Sequence, residues 1–172
     1  QVIRHDRPLP VMAIKAQIDW IMQQQDRDQP AVGLLTALPR SQWATYRQAL
    51  TEHAPANSHC LTLIDEALCL LALEDVAPQS HEEATQQALY GLVANRWYDK
   101  SLQLIIMADG RIGVNMEHSG VDGTPLVRLG IELKTHLAEF YVQCHATSTT
   151  PLDDSPRKLC WQLSPQLQSA IE

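Results

Sequence analysis

The sequence predicts an α+β fold with helices packed on a mixed sheet, and three observations lead there. Apolar residues recur at three- and four-residue spacing in several segments, as amphipathic helices require. Over "SLQLIIMADGRIGVNME" the period changes to two apolar runs around Asp109-Gly110, a hairpin signal because glycine accepts positive φ. Capping residues (Ser80 with Glu83, Pro125, and Ser164 with Pro165) then divide the chain into elements.

Taken in order, "VMAIKAQIDWIMQQQ" carries Ile14, Ile18 and Ile21 or Met22 at helical spacing and predicts a first helix. "RDQPAVGLLTALP" reads as a loop punctuated by Pro30, Gly33 and Pro39. Ser41 can cap a second helix to about Leu50, with Trp43, Tyr46 and Leu50 on one side. Asn57 or Ser58 can cap a third, carrying Leu61, Ile64 and Leu68, and "CLLALED" then reads as a short buried strand. Ser80 and Glu83 make a capping box for "HEEATQQAL". After the hairpin, Pro125 opens a helix striped by Leu126, Leu129, Leu133, Leu137 and Phe140. "HATSTTPLDDSPR" is a polar linker, "KLCWQL" reads as a strand, and Ser164-Pro165 starts a last helix.

Composition narrows the function. The 172 residues suffice for one domain that buries roughly 70% of its unfolded surface. A net charge of −7 disfavours nonspecific binding to nucleic acid or to an anionic membrane surface. No apolar run is long enough to cross a bilayer, and the start does not read as a signal peptide. Cys60, Cys69, Cys144 and Cys160 lie at wide spacings and read as reduced packing thiols, placing the protein in a reducing compartment, cytoplasm or organelle matrix. Cys144-His145 with Cys160 lacks the paired spacing of a zinc site, so no metal is expected. His53, His59 and His81 fall on helix faces or starts and read as surface or cap residues. The chain opens on Gln1 and closes in what reads as mid-helix, as a piece of something longer would.

Chemistry concentrates in "NMEHSGVDG", residues 115–123. An imidazole with an ordinary pKa of ~6.5 is suited to moving a proton near neutral pH. Asp122, four residues after His118, can orient the ring or anchor the loop, and Gly120 and Gly123 allow tight turning and close approach of a ligand. Residue chemistry alone fits a loop histidine as well as a catalytic base.

The H-x-x-x-D-G pattern of His118, Asp122 and Gly123 resembles the signature of the CoA-dependent acyltransferase superfamily, which includes chloramphenicol acetyltransferase. The longer "NRWYDKSLQLIIMADGRIGVNMEHSGVDG", residues 95–123, is similar to the choline/carnitine O-acyltransferases. Its Arg96-Trp97, Asp99-Lys100, Asp109-Gly110, Glu117-His118 and Asp122-Gly123 fall at the family's intervals. The resemblance extends to "LTALPRSQWATYRQAL" and "LIDEALCLLALEDVAP" and covers about residues 30–172. "EHSGVDG" is closer to the long- and medium-chain type of motif, but Gly120 stands where Trp is common.

The resemblance implies a chloramphenicol-acetyltransferase-like fold in an incomplete two-domain enzyme. Residues 1–145 would be the later part of the first, histidine-bearing domain, and 146–172 a linker and the start of the second. It implies transfer of an acyl group from acyl-CoA to the hydroxyl of carnitine or a similar alcohol. His118 would be the general base, with no acyl-enzyme and coenzyme A as substrate rather than bound cofactor. Asp122 takes an orienting or a loop-supporting role; Arg96, Asp99 and Lys100 are expected in a strand-start salt-bridge network. Glu117 is expected to point away on its strand, and Ser119 to be a small packing residue. "TSTT", 147–150, resembles the family's Ser-Thr-Ser oxyanion motif but sits in the linker and reads as loop. Without that motif, and without the basic loop that grips CoA, the piece alone would be inactive and would need the remainder of the enzyme. A non-catalytic binding or scaffold module, and an assembly-line acyltransferase using an acyl-carrier-protein donor, remain as alternatives.

Overall fold

The computed structural model describes residues 2–24, 29–120, 122–145 and 156–172, excepting the side chains of Arg4 and of residues 140–145. In chain order the elements are β1 (Ile3–Arg4), β2 (Arg7–Pro8), α1 (Val11–Gln23), a 3₁₀ turn (Val32–Ala37), α2 (Arg40–His53), α3 (Pro55–Glu66), β3 (Leu70–Leu73), α4 (His81–Tyr90), a second 3₁₀ turn (Val93–Asn95), β4 (Leu102–Ile106), β5 (Ile112–Met116), α5 (Gly123–His145) and α6 (Pro165–Ser169). This is an α+β chain, and it divides into two units, one of residues 1–28 with 123–158 and one of 29–122 with 159–172.

In the first unit β1 and β2 form a small antiparallel hairpin, and α1 lies against α5. Both helices form where their apolar spacing predicts. α5 begins two residues ahead of Pro125, which sits in the first turn where its missing N–H costs nothing. Its expected stripe is not a buried one: Leu129, Leu133 and Leu137 are all exposed.

The second unit contains the sheet, ordered β3-β4-β5. β3 pairs in parallel with β4, and β4 pairs antiparallel with β5 from Leu102↔Met116 to Ile106↔Ile112. Gly110, at φ +83°, supplies the left-handed residue that closes the hairpin. Alternate residues Gln103, Ile105 and Met107 are buried, and Ile105 and Met107 pack with Ala72 of β3 and Ala88 of α4. Gly113 is required there, since a Cβ would stand 2.6 Å from that of Ala88. Ser80 caps α4 by accepting from the Glu83 amide, while the Glu83 carboxylate accepts from the Gln79 amide, one residue ahead of a capping box's usual partner.

A larger core gathers Val32, Leu35, Trp43, Leu50, Leu61, Trp97 and Leu167. Trp97 meets Trp43 edge-on at 5.7 Å and stacks on Trp161 at 6.1 Å. The stretch expected to be a loop at 27–39 contains the first 3₁₀ turn, because Leu35 is fully buried and draws the backbone into a helical turn. α2 starts one residue ahead of Ser41, after Pro39, and Ser41 does not cap it. α3 starts at Pro55, with Ala54 before it, so neither Asn57 nor Ser58 is its cap; Leu68 lies beyond its end, exposed.

"KLCWQL", expected to be a strand, belongs to none. Its backbone is held by a side chain instead: Asn57 Nδ2 donates to the Gln162 carbonyl and Asn57 Oδ1 accepts from the Gln162 amide. α6 then begins at Pro165, capped by Ser164, which accepts from the Leu167 amide. Cys60 is buried, Cys69 half-buried and Cys160 exposed, so Cys160 is no packing thiol; its neighbour Trp161 is the residue that packs against the core. The side chain of Cys144 and the linker residues 146–155, "TSTT" among them, lie outside the described residues.

Candidate active site

The hairpin delivers the sequence motif. β5 ends at Met116, and the chain then carries Glu117, His118 and Ser119 before α5 begins at Gly123. The His118 ring faces solvent, its side chain 70% exposed, and that of Asp122 is 79% exposed. Nε2 of His118 stands 3.7 Å from Oδ1 of Asp122, beyond hydrogen-bonding distance but close enough for attraction when the ring is charged. Gly120 and Gly123 both avoid the left-handed region, and a Cβ on either would meet open space.

Glu117 does not simply point away. It lies past the last strand residue, where alternation of faces no longer holds, and its carboxylate accepts from the Ser119 amide at 3.0 Å and from the Ser119 hydroxyl. Its other oxygen takes Arg40 Nη2 at 2.6 Å. The Ser119 hydroxyl, then its amide, then Arg40 hold the Glu117 carboxyl below the usual carboxylate range. Ser119 is therefore a hydrogen-bonding loop residue and is exposed, not packed. Arg40 also reaches Asp99 Oδ1 at 3.2 Å, and Asp99 Oδ2 accepts from the Trp43 indole at 2.7 Å. Arg40 lies 77 residues from Glu117 in sequence, so no local pattern announces it.

The neighbouring motif residues hold structure. Arg96 and Glu74 form a buried ion pair, extended by Arg96 Nη2 to the Gln87 carbonyl and Nη1 to the Asn95 carbonyl. Lys100 Nζ donates to the carbonyls of Ile64 and Asp65 at the end of α3, where a cation suits the helix C-terminus. Arg96, Asp99 and Lys100 are thus not joined in the single strand-start network expected: Arg96 pairs with Glu74, Lys100 bonds the carbonyls of α3, and Asp99 pairs with Arg40.

A groove of about 490 Å³ opens between α4 and the hairpin, lined by His81, Ala88, Met107, Arg111 and Gly113 among others; His118 is not part of its wall. His53 and His59 are exposed on α2 and α3 and His81 at the start of α4. Among the described residues no cluster of His, Cys, Asp or Glu is arranged to hold a metal, and no helix is long and apolar enough to cross a membrane.

Comparison with known proteins agrees with this arrangement of motifs. The family model for choline/carnitine O-acyltransferases matches residues 1–172. Choline O-acetyltransferase of Sus scrofa is 36% identical over 159 residues, 86% of this chain and 24% of its own length. Carnitine O-palmitoyltransferase 2 of Xenopus tropicalis is 31% identical over 142 residues, 81% of this chain and 21% of its own. Mitochondrial carnitine O-acetyltransferase of Saccharomyces cerevisiae is 30% identical over 176 residues, 98% and 26%. The chain thus spans about a quarter of the length of the curated relatives it matches. With a match that runs from its first residue to its last, the chain belongs to the choline/carnitine O-acyltransferase family.

Proposed function

We propose that this chain carries the general base of an O-acyltransferase, His118, and that residues 1–145 are the later part of its first, chloramphenicol-acetyltransferase-like domain. Residues 146–172 would be the linker and the start of a second domain, whose first helix docks back on the core through Leu167. A family match across every residue, on a chain whose hairpin ends two residues before His118, carries this reading.

In the proposed reaction neutral His118 takes the proton from the acceptor hydroxyl as that oxygen attacks the carbonyl of an acyl-CoA thioester. The tetrahedral intermediate collapses with loss of the thiolate, and the imidazolium returns its proton to sulfur. No acyl-enzyme forms. Asp122 helps orient the ring or supports its loop. Choline and carnitine, for which the relatives are named, are both trimethylammonium alcohols, so the acceptor class is a quaternary-ammonium alcohol, with carnitine as the leading version. The second domain would enclose the ring and supply the oxyanion donors, so the 172 residues alone would be inactive.

A second reading, a non-catalytic binding module, is favoured by one observation: the His118 ring is open to solvent, outside the groove beside α4. One assay separates the two. The full-length protein is given a panel of acyl-CoAs, or an acyl-carrier-protein donor, with carnitine, choline or neither, and thiol release is followed. Acceptor-dependent release that falls ~10²- to 10⁴-fold in His118→Ala supports the enzyme. Release that survives the substitution refutes His118 as base, and no acceptor-dependent release at all favours the module.

A further inference from the structure

Among the described residues His118 has one long polar contact, 3.7 Å to Asp122, while both of its sequence neighbours are tied down. Glu117, immediately before it, and Ser119, immediately after it, are bonded to each other through the Glu117 carboxylate. That carboxylate is tied to the rest of the fold by Arg40, whose two terminal nitrogens divide between Glu117 Oε1 at 2.6 Å and Asp99 Oδ1 at 3.2 Å. Asp99 in turn is fixed by the indole N–H of Trp43, a core residue locked edge-on against Trp97. A continuous line of contacts therefore runs from the tryptophan core through Asp99, Arg40 and Glu117 to the backbone on both sides of His118.

We infer that Arg40 is a positioning residue for the proposed acyl transfer: by bridging Asp99 to Glu117 it sets the backbone from which the His118 ring is presented. This rests on the reading of His118 as the base, but Arg40 does not itself touch a reacting atom. Its planar two-pronged donor set suits a bridge between two carboxylates, which a lysine can make only one at a time. Small misplacements of a reacting group cost up to about 10²-fold in rate, so a loose loop should show in turnover.

The test compares Arg40→Gln and Arg40→Lys with the parent full-length protein, reading kcat, KM for donor and acceptor, the Ser119 amide NMR signal and the thermal unfolding midpoint. Arg40→Gln should lower kcat about 10- to 100-fold with each KM within about twofold, shift the Ser119 amide, and change the midpoint little, because the guanidinium is 69% exposed. Arg40→Lys should recover part of the lost kcat. An unchanged kcat, or a raised KM at constant kcat, would overturn the inference, the latter by making Arg40 a substrate contact. Should His118→Ala retain full activity, the reading of His118 as the base falls by itself. The Ser119 amide then decides on Arg40 alone: a shift in Arg40→Gln upholds its hold on the loop, and an unmoved signal overturns it.

Discussion

Asn57 holds Gln162 by both ends of its side-chain amide, donating to the carbonyl at 2.7 Å and accepting from the amide at 2.8 Å, across 105 residues of sequence. Its Nδ2 also donates to the Leu50 carbonyl at the C-terminal end of α2, and the residue is fully buried. One side chain thus joins α2, α3 and the final segment. Asn57→Ala leaves buried backbone groups without partners, each costing ~1–3 kcal/mol, so the expected loss is about 2–4 kcal/mol in a urea titration. Trp161 fluorescence should report release of the final segment early in that titration. Unchanged stability would mean that the tail is held by the stacked tryptophans instead.

This contact also marks where the sequence stops being legible. The alternation in "KLCWQL" predicts a strand that does not form; Trp161 and Leu163 pack against the core as alternation suggests, but alternation says nothing about what the backbone bonds to. A polar side chain 105 residues away took the place of a neighbouring strand. Asn57 reads as a cap because Asn favours caps, whereas here burial in the core decided its role. Local signals fared better: Asp109-Gly110 and the Ser80 cap depend on backbone geometry within a few residues, and both form. The motif nominates His118 and Asp122 as candidates, while Arg40 joins Glu117 through the tertiary fold.

The Arg96–Glu74 pair predicts a large asymmetry between breaking it and replacing it. Both side chains are almost wholly out of water, and Arg96 Nε has no hydrogen-bond partner among the described residues. Arg96→Met would strand a buried carboxylate and should cost about 3–5 kcal/mol by chemical denaturation. Adding Glu74→Leu to that variant should recover most of the loss, since no uncompensated charge remains. A double variant no more stable than the single one would show that the pair's bonds to the Gln87 and Asn95 carbonyls matter more than its charge.

Gly33 and Gly120 should respond oppositely to the same substitution. A Cβ at Gly33 would stand 2.1 Å from the Arg96 carbonyl oxygen, so Gly33→Ala must push the first 3₁₀ turn off the segment that carries Arg96 and Trp97. An overpacked site of this kind costs about 1–3 kcal/mol. Gly120→Ala meets nothing within 4 Å and should stay within about 0.5 kcal/mol of the parent. Thermal unfolding of the two variants side by side checks both, and a destabilised Gly120→Ala would reveal a neighbour pressing on the histidine loop.

Acid should loosen the loop around His118 before it unfolds the protein. Glu117 has its folded pKa held below the ordinary ~4.3, first by the Ser119 hydroxyl, then by the Ser119 amide and Arg40. Because the folded pKa is the lower one, the bonds to Ser119 and Arg40 contribute fully above the unfolded carboxylate range and are lost as pH falls through the depressed value. The charged groups around Glu117 are Arg40 with its second partner Asp99, and His118 and Asp122 along the loop. The Ser119 amide signal, followed from pH 6 downward, should therefore titrate with a midpoint below about 4.3. Glu117→Gln should remove the titration. Arg40→Gln should raise the midpoint only partway, since the Ser119 bonds are the larger cause. High salt should act in the same partial way, screening the exposed guanidinium but not the short bonds to Ser119. A midpoint at or above the ordinary value would mean that Glu117 is not clamped, and that the loop carrying His118 is held by something else.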